Sequence, residues 1–414
     1  MTFRPNSLVL VIPTVCALRD GAISLDGDFA NNVRAYLAAF SHVHVMTTAA
    51  PGEQSFPNTV PLADLADGDR LTITILPEPY REDRYFRNRG RVKAQLHQAM
   101  SESEFHLISP HAAFDWPTLA AEVCQELGIP YNMEADWALP VARAELWRMM
   151  PWGPNKLRKY IWGLYHDRQY YRALDRSALA LLQGGEVFNE LGHRAPNAFS
   201  VLNVQITGED RIAPAALAAK LARSDTQPVK IFYAGRAAPM KGPHVWLEIV
   251  RRLKLAGCRF EATWAGAGPE LDSMQRFVDS HGLGDVCVLA GHVDRDETRR
   301  RMADADLFVF CHLIAESPRC LVESLASGTP IVGFESHYAR DLVARHGGGA
   351  FVPRGDTARL ADMVTQLVSD RAAIRQLTIA AAASGQTFDR DTAIEERIGL
   401  MKRHLQWSSA ARRA

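Results

Sequence analysis

The sequence carries no net charge: its 47 Lys and Arg balance 47 Asp and Glu in 414 residues. No overall field therefore draws the molecule to nucleic acid or to a membrane, and any such attraction has to be local. No nucleic-acid partner is expected. Long hydrophobic runs are missing too. No stretch approaches the ~18 apolar residues that cross a bilayer, and the opening run Leu8 to Pro13 lacks the basic start and cleavage site of a signal peptide. Cysteine is sparse. Cys16, Cys124, Cys258, Cys287, Cys311 and Cys320 form no C-x-x-C pair in a chain long enough to build a core without staples, so reduced thiols in the cytoplasm are the expectation. Neither a P-loop nor a G-x-S-x-G elbow is present. His42 and His44 alternate on a predicted strand without further ligands, which implies no zinc site.

What is present is the composition of a soluble globular protein, 47% hydrophobic and 23% charged, at a length that suggests two or three domains. Leu8 to Ile12 reads as a strand, followed by a glycine loop DGAISLDGD and a helix from Phe29 to Phe40. Strands are predicted at 42–46, 71–76, 106–109, 129–133, 179–182 and 198–204, with helices at 92–100 and 116–127. The polar stretch 207–228 reads as a linker. A second alternation starts at Val229, with strands at 229–234, 260–265, 286–289, 307–310, 330–332 and 350–352, and helices follow at 357–369, 371–384 and 392–406. The expected domains are 1–206, 229–385, and a C-terminal helix and tail at 386–414. Both larger parts are α/β with doubly wound parallel sheets.

Residues 143–176 break the alternation. They hold seven large aromatics and eight Arg or Lys against three acids. Two readings fit: a helix packed between domains with its cations solvated, or an interfacial segment contacting a membrane or lipid acceptor.

Three stretches carry chemistry. Gly235-Arg-Ala-Ala-Pro-Met-Lys-Gly242 lies between a buried strand and a helix. Gly235 permits a sharp turn, the helix N-terminus offers unpaired N–H groups, and Arg236 and Lys241 add a fork of donors and a point charge, a set suited to a diphosphate. Trp264-Ala-Gly-Ala-Gly-Pro-Glu270 makes a second strand-to-helix turn in which Gly266 and Gly268 allow close backbone approach. In the third, 308–334, a loop with Glu316, Ser317, Pro318, Arg319 and Cys320 leads through Leu321 into a helix bearing Glu323. A carboxylate there suits paired ribose hydroxyls. Asp26-Gly-Asp28, Asp294-Arg-Asp296 and Asp304-Ala-Asp306 mimic metal-binding D-x-D patterns. Asp304 and Asp306 precede a strand, away from the ligand edge, and no metal is expected.

These signals, in this order, resemble the family 4 retaining glycosyltransferases, whose GT-B fold pairs two facing Rossmann-like domains. The resemblance implies that Arg236 and Lys241 hold the donor diphosphate, that Glu323 binds the ribose, and that 291–293 lies near the base. It also implies that Gly27 approaches the donor phosphate and that His111 sits near the anomeric carbon. Glu134 and Asp136 end at the same sheet edge as acceptor-side candidates. Most members carry a Glu eight positions before the ribose Glu, where this chain has Ala315. The loop resembles a variant reading ESPR, so Glu316 is expected to take the sugar-hydroxyl contacts.

The implied activity is metal-independent transfer of a sugar, with retention, from a nucleotide sugar, UDP favoured, to a lipid or glycan hydroxyl in envelope glycolipid or polysaccharide synthesis. No cofactor is expected beyond the nucleotide-sugar co-substrate. In such enzymes the departing phosphate helps take the acceptor proton, so no protein base is demanded. The expected location is the cytoplasm, with peripheral contact at the inner face of the cytoplasmic membrane through 143–176. A non-catalytic membrane-docked protein on the same frame, or another GT-B activity such as an epimerase, are the alternatives.

Overall fold

The computed structural model describes residues 3–50, 59–65, 68–314 and 316–405. The chain forms two compact units, one of Met1–Leu202 with Asp391–Ala414 and one of Asn203–Arg390.

The first unit contains β1 (Arg4–Val11), β2 (Cys16–Arg19), β3 (Ala22–Leu25), α1 (Gly27–Ala39), β4 (His42–Thr48), β5 (Val60–Pro61), β6 (Leu71–Leu76), α2 (Glu82–Glu102), β7 (Ser103–Ile108), α3 (Trp116–Leu127), β8 (Asn132–Ala135), α4 (Leu139–Met149), α5 (Pro154–Asp175), β9 (Leu179–Gln183), α6 (Gly184–Leu191) and β10 (Ala198–Val201). Seven strands make a parallel sheet in the order β10-β9-β8-β7-β1-β4-β6. The glycine loop predicted after β1 is instead a hairpin of β2 and β3. Asp20 and Gly21 both have positive φ (49° and 79°), the two-residue turn whose twist matches paired strands.

The second unit runs through α7 (Pro214–Leu221), β11 (Val229–Ala234), α8 (Pro243–Leu255), β12 (Phe260–Ala265), α9 (Leu271–Ser280), β13 (Cys287–Gly291), α10 (Arg295–Asp304), β14 (Leu307–Phe310), α11 (Arg319–Ala326), β15 (Ile331–Phe334), α12 (His337–Val343), β16 (Gly349–Val352), α13 (Thr357–Ser369) and α14 (Arg371–Gly385). Its six strands are parallel in the order β13-β12-β11-β14-β15-β16. The stretch read as a linker holds α7, anchored by buried Lys220, whose Nζ donates to the Gly328 carbonyl at 3.0 Å and to Thr329 Oγ1 at 2.6 Å.

The last helix, α15 (Arg390–His404), belongs from Asp391 onward to the first unit. Ile394, Ile398, Leu400, Met401 and Leu405 pack into the cluster of Leu8, Val33, Tyr36 and Phe40. Arg397 Nη1 meets Glu134 Oε1 at 2.6 Å, with both side chains nearly buried.

Candidate functional site

In the second unit the strand order reverses between β11 and β14, and open parallel sheets take ligands outside the carboxyl ends of such strands. The turn after β11 carries Gly235, Arg236 and Lys241; the loop after β14 carries Glu316, Ser317 and Pro318 and opens α11, which bears Arg319, Cys320, Leu321 and Glu323. Leu313 N–H donates to the Met240 carbonyl at 2.9 Å and ties the two segments together. The sequence therefore brings its main donor-site candidates to one switch point.

Glycine lets the neighbouring turns close on one another. Gly266 has φ +146°, and a Cβ there would stand 2.0 Å from the Gly235 carbonyl oxygen; one at Gly268 would stand 2.3 Å from that of Ala237. Gly235 N–H donates to the Ala265 carbonyl at 2.9 Å and Ala237 N–H to that of Ala267 at 3.0 Å. Gly266 and Gly268 are thus each required for the contact between two turns. Gly266 N–H also donates to the Gly291 carbonyl at 2.6 Å, extending the joined edge to the end of β13.

Charge is concentrated in one chain of side chains. Lys241 Nζ donates to both carboxylate oxygens of Glu316, each at 2.7 Å. His312 Nδ1 lies 3.1 Å from Glu316 Oε1, and its Nε2 lies 2.8 Å from the Tyr233 hydroxyl. Burial raises the Glu316 carboxyl above its ordinary range, with Lys241 and then Arg354 opposing. Burial, Lys241 and Arg354 all hold His312 well below the ordinary histidine value, so its ring is neutral. The adjacent Cys320 thiol is pushed up to about 12 by burial, with Lys241 lowering it and Glu323 and Glu316 raising it further, which places these groups in one electrostatic neighbourhood. Arg236 is exposed, Glu323 half-buried, and Ser317 and Leu321 buried. Ala315 lies outside the described residues.

Tyr233 and His312 were not among the residues singled out by sequence. A Tyr next to the end of one apolar strand and a His two residues past another read as core, and only the reversed strand order puts them side by side.

In the first unit, His111 follows β7 with an exposed ring 5.7 Å from that of Trp137. Its backbone is pinned: the N–H groups of His111 and Ala112 donate to Oδ2 of Asp115 at 2.7 and 3.1 Å, while Oδ1 caps α3 at Thr118. Asp136 is exposed at the end of β8. Glu134 is committed to Arg397. Gly27 opens α1, where the Asp26 side chain accepts from the N–H groups of Asp28 and Phe29. Asp304 and Asp306 of the D-x-D pattern are engaged by Arg223, Lys230 and Arg371.

The aromatic and basic segment consists of two helices. Leu157, Tyr160, Ile161 and Leu164 recur at helical spacing along α5 and are all exposed, as are Trp152 at 87% and the cations Arg158, Lys159 and Arg168. Beside them α4 and α5 bound a groove of about 560 Å³ lined by Phe114, Trp147, Trp162 and His166. Among the described residues no helix is long and apolar enough to cross a membrane.

Two parallel α/β units, the second with a glycine-built, cation-bearing turn at its switch point, define a class of fold that takes ligands outside the carboxyl ends of its strands. Residues 218–384 match the family model Glycosyl transferases group 1. Among relatives, the chain is 28% identical over 199 residues to the amylovoran biosynthesis glycosyltransferase AmsK of Erwinia amylovora, covering 46% of this chain and 49% of that one. It is 27% identical over 180 residues to the putative colanic acid biosynthesis glycosyltransferase WcaL of Escherichia coli K12, covering 40% and 44%. The chain thus spans less than half the length of either relative. Its fold is that of the GT-B glycosyltransferases. It aligns with a sucrose-phosphate synthase from Thermosynechococcus elongatus at TM-score 0.70 and 14% identity, over 97% of this chain and 99% of the other. Anabaena HepE, solved with UDP and glucose, aligns at TM-score 0.65 and 15% identity, over 95% and 99%.

Proposed function

We propose that the protein is a retaining glycosyltransferase that moves a sugar from a nucleotide-diphosphate donor, UDP favoured, to a hydroxyl of a lipid-linked or glycan acceptor in envelope polysaccharide or glycolipid synthesis. The observation that carries this reading is the pairing of Lys241 with Glu316 at the switch point of a segment matching group 1 glycosyltransferases. The donor's leaving group develops negative charge on a diphosphate. Arg236 and Lys241 supply the fixed positive charge that stabilises it, the role a metal ion plays elsewhere. Glu323 accepts from the ribose hydroxyls and Glu316 from the sugar, within the 316–321 loop. His111 and Asp136 serve the acceptor side, while Glu134 is assigned to tethering α15. The exposed apolar stripe of α5, bordered by Arg158, Lys159 and Arg168, supports docking on an anionic membrane surface, where a lipid-linked acceptor would be met.

A thermal-shift panel of sugar nucleotides and free nucleotides, with and without EDTA, tests the donor assignment. One nucleotide family should raise the melting temperature, and chelation should leave the shift intact. No shift by any nucleotide at millimolar concentration would sink the reading.

A further inference from the structure

The side chains Tyr233, His312, Glu316 and Lys241 form a line of close polar contacts with one favoured direction. Glu316, ionised against Lys241, only accepts, so the neutral His312 ring, whose Nδ1 lies 3.1 Å from Glu316 Oε1, turns its hydrogen-bearing nitrogen toward the carboxylate. Nε2 is then the acceptor, and the Tyr233 hydroxyl donates to it at 2.8 Å. Burial holds Tyr233 well above the ordinary phenol value, so it keeps that proton.

The line is rigidly held. Tyr233 is fully buried, with its ring 4.1 Å from that of Trp264 and 5.4 Å from that of Phe308. His312 is 5% exposed. A Cβ at position 235 would lie 2.5 Å from the Tyr233 hydroxyl oxygen, so the glycine after β11 leaves room for the phenol. None of this is required to fill the core, where Phe would pack as well as Tyr without needing a partner.

Lys241 cannot serve two anions with equal strength. A bound diphosphate, carrying more charge than a carboxylate, competes for its ammonium. Glu316 would then face the donor sugar without its cation, in a site where burial disfavours its charge. We propose that Tyr233 and His312 are positioning residues for the donor sugar: they hold the Glu316 carboxylate oriented to accept from sugar hydroxyls when Lys241 turns from it to the diphosphate. The inference rests on the donor reading above and adds the pair through which the site discriminates a sugar nucleotide from the bare nucleotide.

The test compares affinities for UDP and UDP-glucose, and for GDP and GDP-mannose, by calorimetry on the full chain, reading the gain that the sugar gives within each pair. His312→Gln moves the amide toward the Nε2 position and leaves Glu316 without its donor; His312→Asn places an amide N–H near Nδ1. In His312→Gln the sugar's gain should fall about 10-fold while affinity for the bare nucleotide stays within about 2-fold. His312→Asn should recover most of the loss, and Tyr233→Phe, which keeps the ring but removes the hydroxyl donor, should fall between them. Equal affinities in wild type and His312→Gln would overturn the inference, as would parallel loss of nucleotide and sugar nucleotide in both histidine variants. Failure of the wild type to bind either nucleotide pair would overturn the donor reading itself.

Discussion

Lys241 donates to both oxygens of Glu316 across 75 residues of sequence, at the point where the strand order of the second unit turns back on itself. The contact joins the two groups assigned to opposite ends of the donor's reactive centre. Replacing Lys241 by Ala should lower turnover by about 10²- to 10³-fold with the circular dichroism spectrum unchanged. Near-normal turnover of a nucleotide sugar would remove Lys241 from the phosphate site.

Arg397 and Glu134 form a buried ion pair that fastens α15 to β8. Removing one partner leaves a buried charge without compensation, which costs roughly 3 to 5 kcal/mol. Arg397→Met should therefore lower the urea midpoint strongly, and Glu134→Gln combined with it should recover part of the loss. Additive losses in the double variant would show that the pair is not coupled.

Lys220 sets a pH dependence of stability. Burial lowers its ammonium from the ordinary value to about 7, with Asp306 opposing and Arg223 reinforcing. Between that value and the unfolded value near 10.5 the unfolded chain binds more protons, so this group's contribution to stability rises with pH across the window and is at its least favourable below it. The stability of wild type relative to Lys220→Met, followed by chemical denaturation, should rise by on the order of 1 kcal/mol per pH unit from pH 7 upward. A difference flat with pH would contradict the assignment.

Gly266→Ala should destabilise by roughly 3 kcal/mol or more, because the added carbon meets the Gly235 carbonyl and the backbone angle suits no side chain. Gly257 also has positive φ but open space around it, so Gly257→Ala should cost only about 1 kcal/mol. Similar denaturation midpoints for the two variants would deny the turn-to-turn contact its role.

Trp152 and Ile161 are exposed and should be dispensable for folding. Ser at both positions should shift stability by less than about 1 kcal/mol yet reduce co-sedimentation with phosphatidylglycerol vesicles severalfold at low salt. If wild-type protein does not sediment with those vesicles, the membrane-docking reading of α5 is lost.

The second unit is the more legible in sequence because short β-forming runs alternate cleanly with helical patterns from Val229 onward. The runs at 229–234, 260–265 and 307–310 fall where buried parallel strands need them. The hairpin at 16–25 carries a strong local signal in its Asp20-Gly21 turn, but its strands are only four residues long and the nearby Gly27 gives the stretch the composition of a loop. Alanine-rich α7 reads as linker because its opening proline and small residues mask a helix whose one buried anchor is a lysine. Charge and glycine pointed to Arg236, Lys241 and Glu316. Tyr233 and His312 were invisible, because their partnership exists only where two strands distant in sequence become neighbours.

The second unit is continuous from Asn203 to Arg390, whereas the first is assembled from both sides of it. During synthesis the chain therefore presents a finished sequence for the second unit before α15 has left the ribosome. The cluster of Leu8, Val33 and Phe40 waits for Ile394, Ile398 and Met401 to close it. The apolar cluster of the first unit is therefore completed by a helix that emerges only after the whole sequence of the second unit.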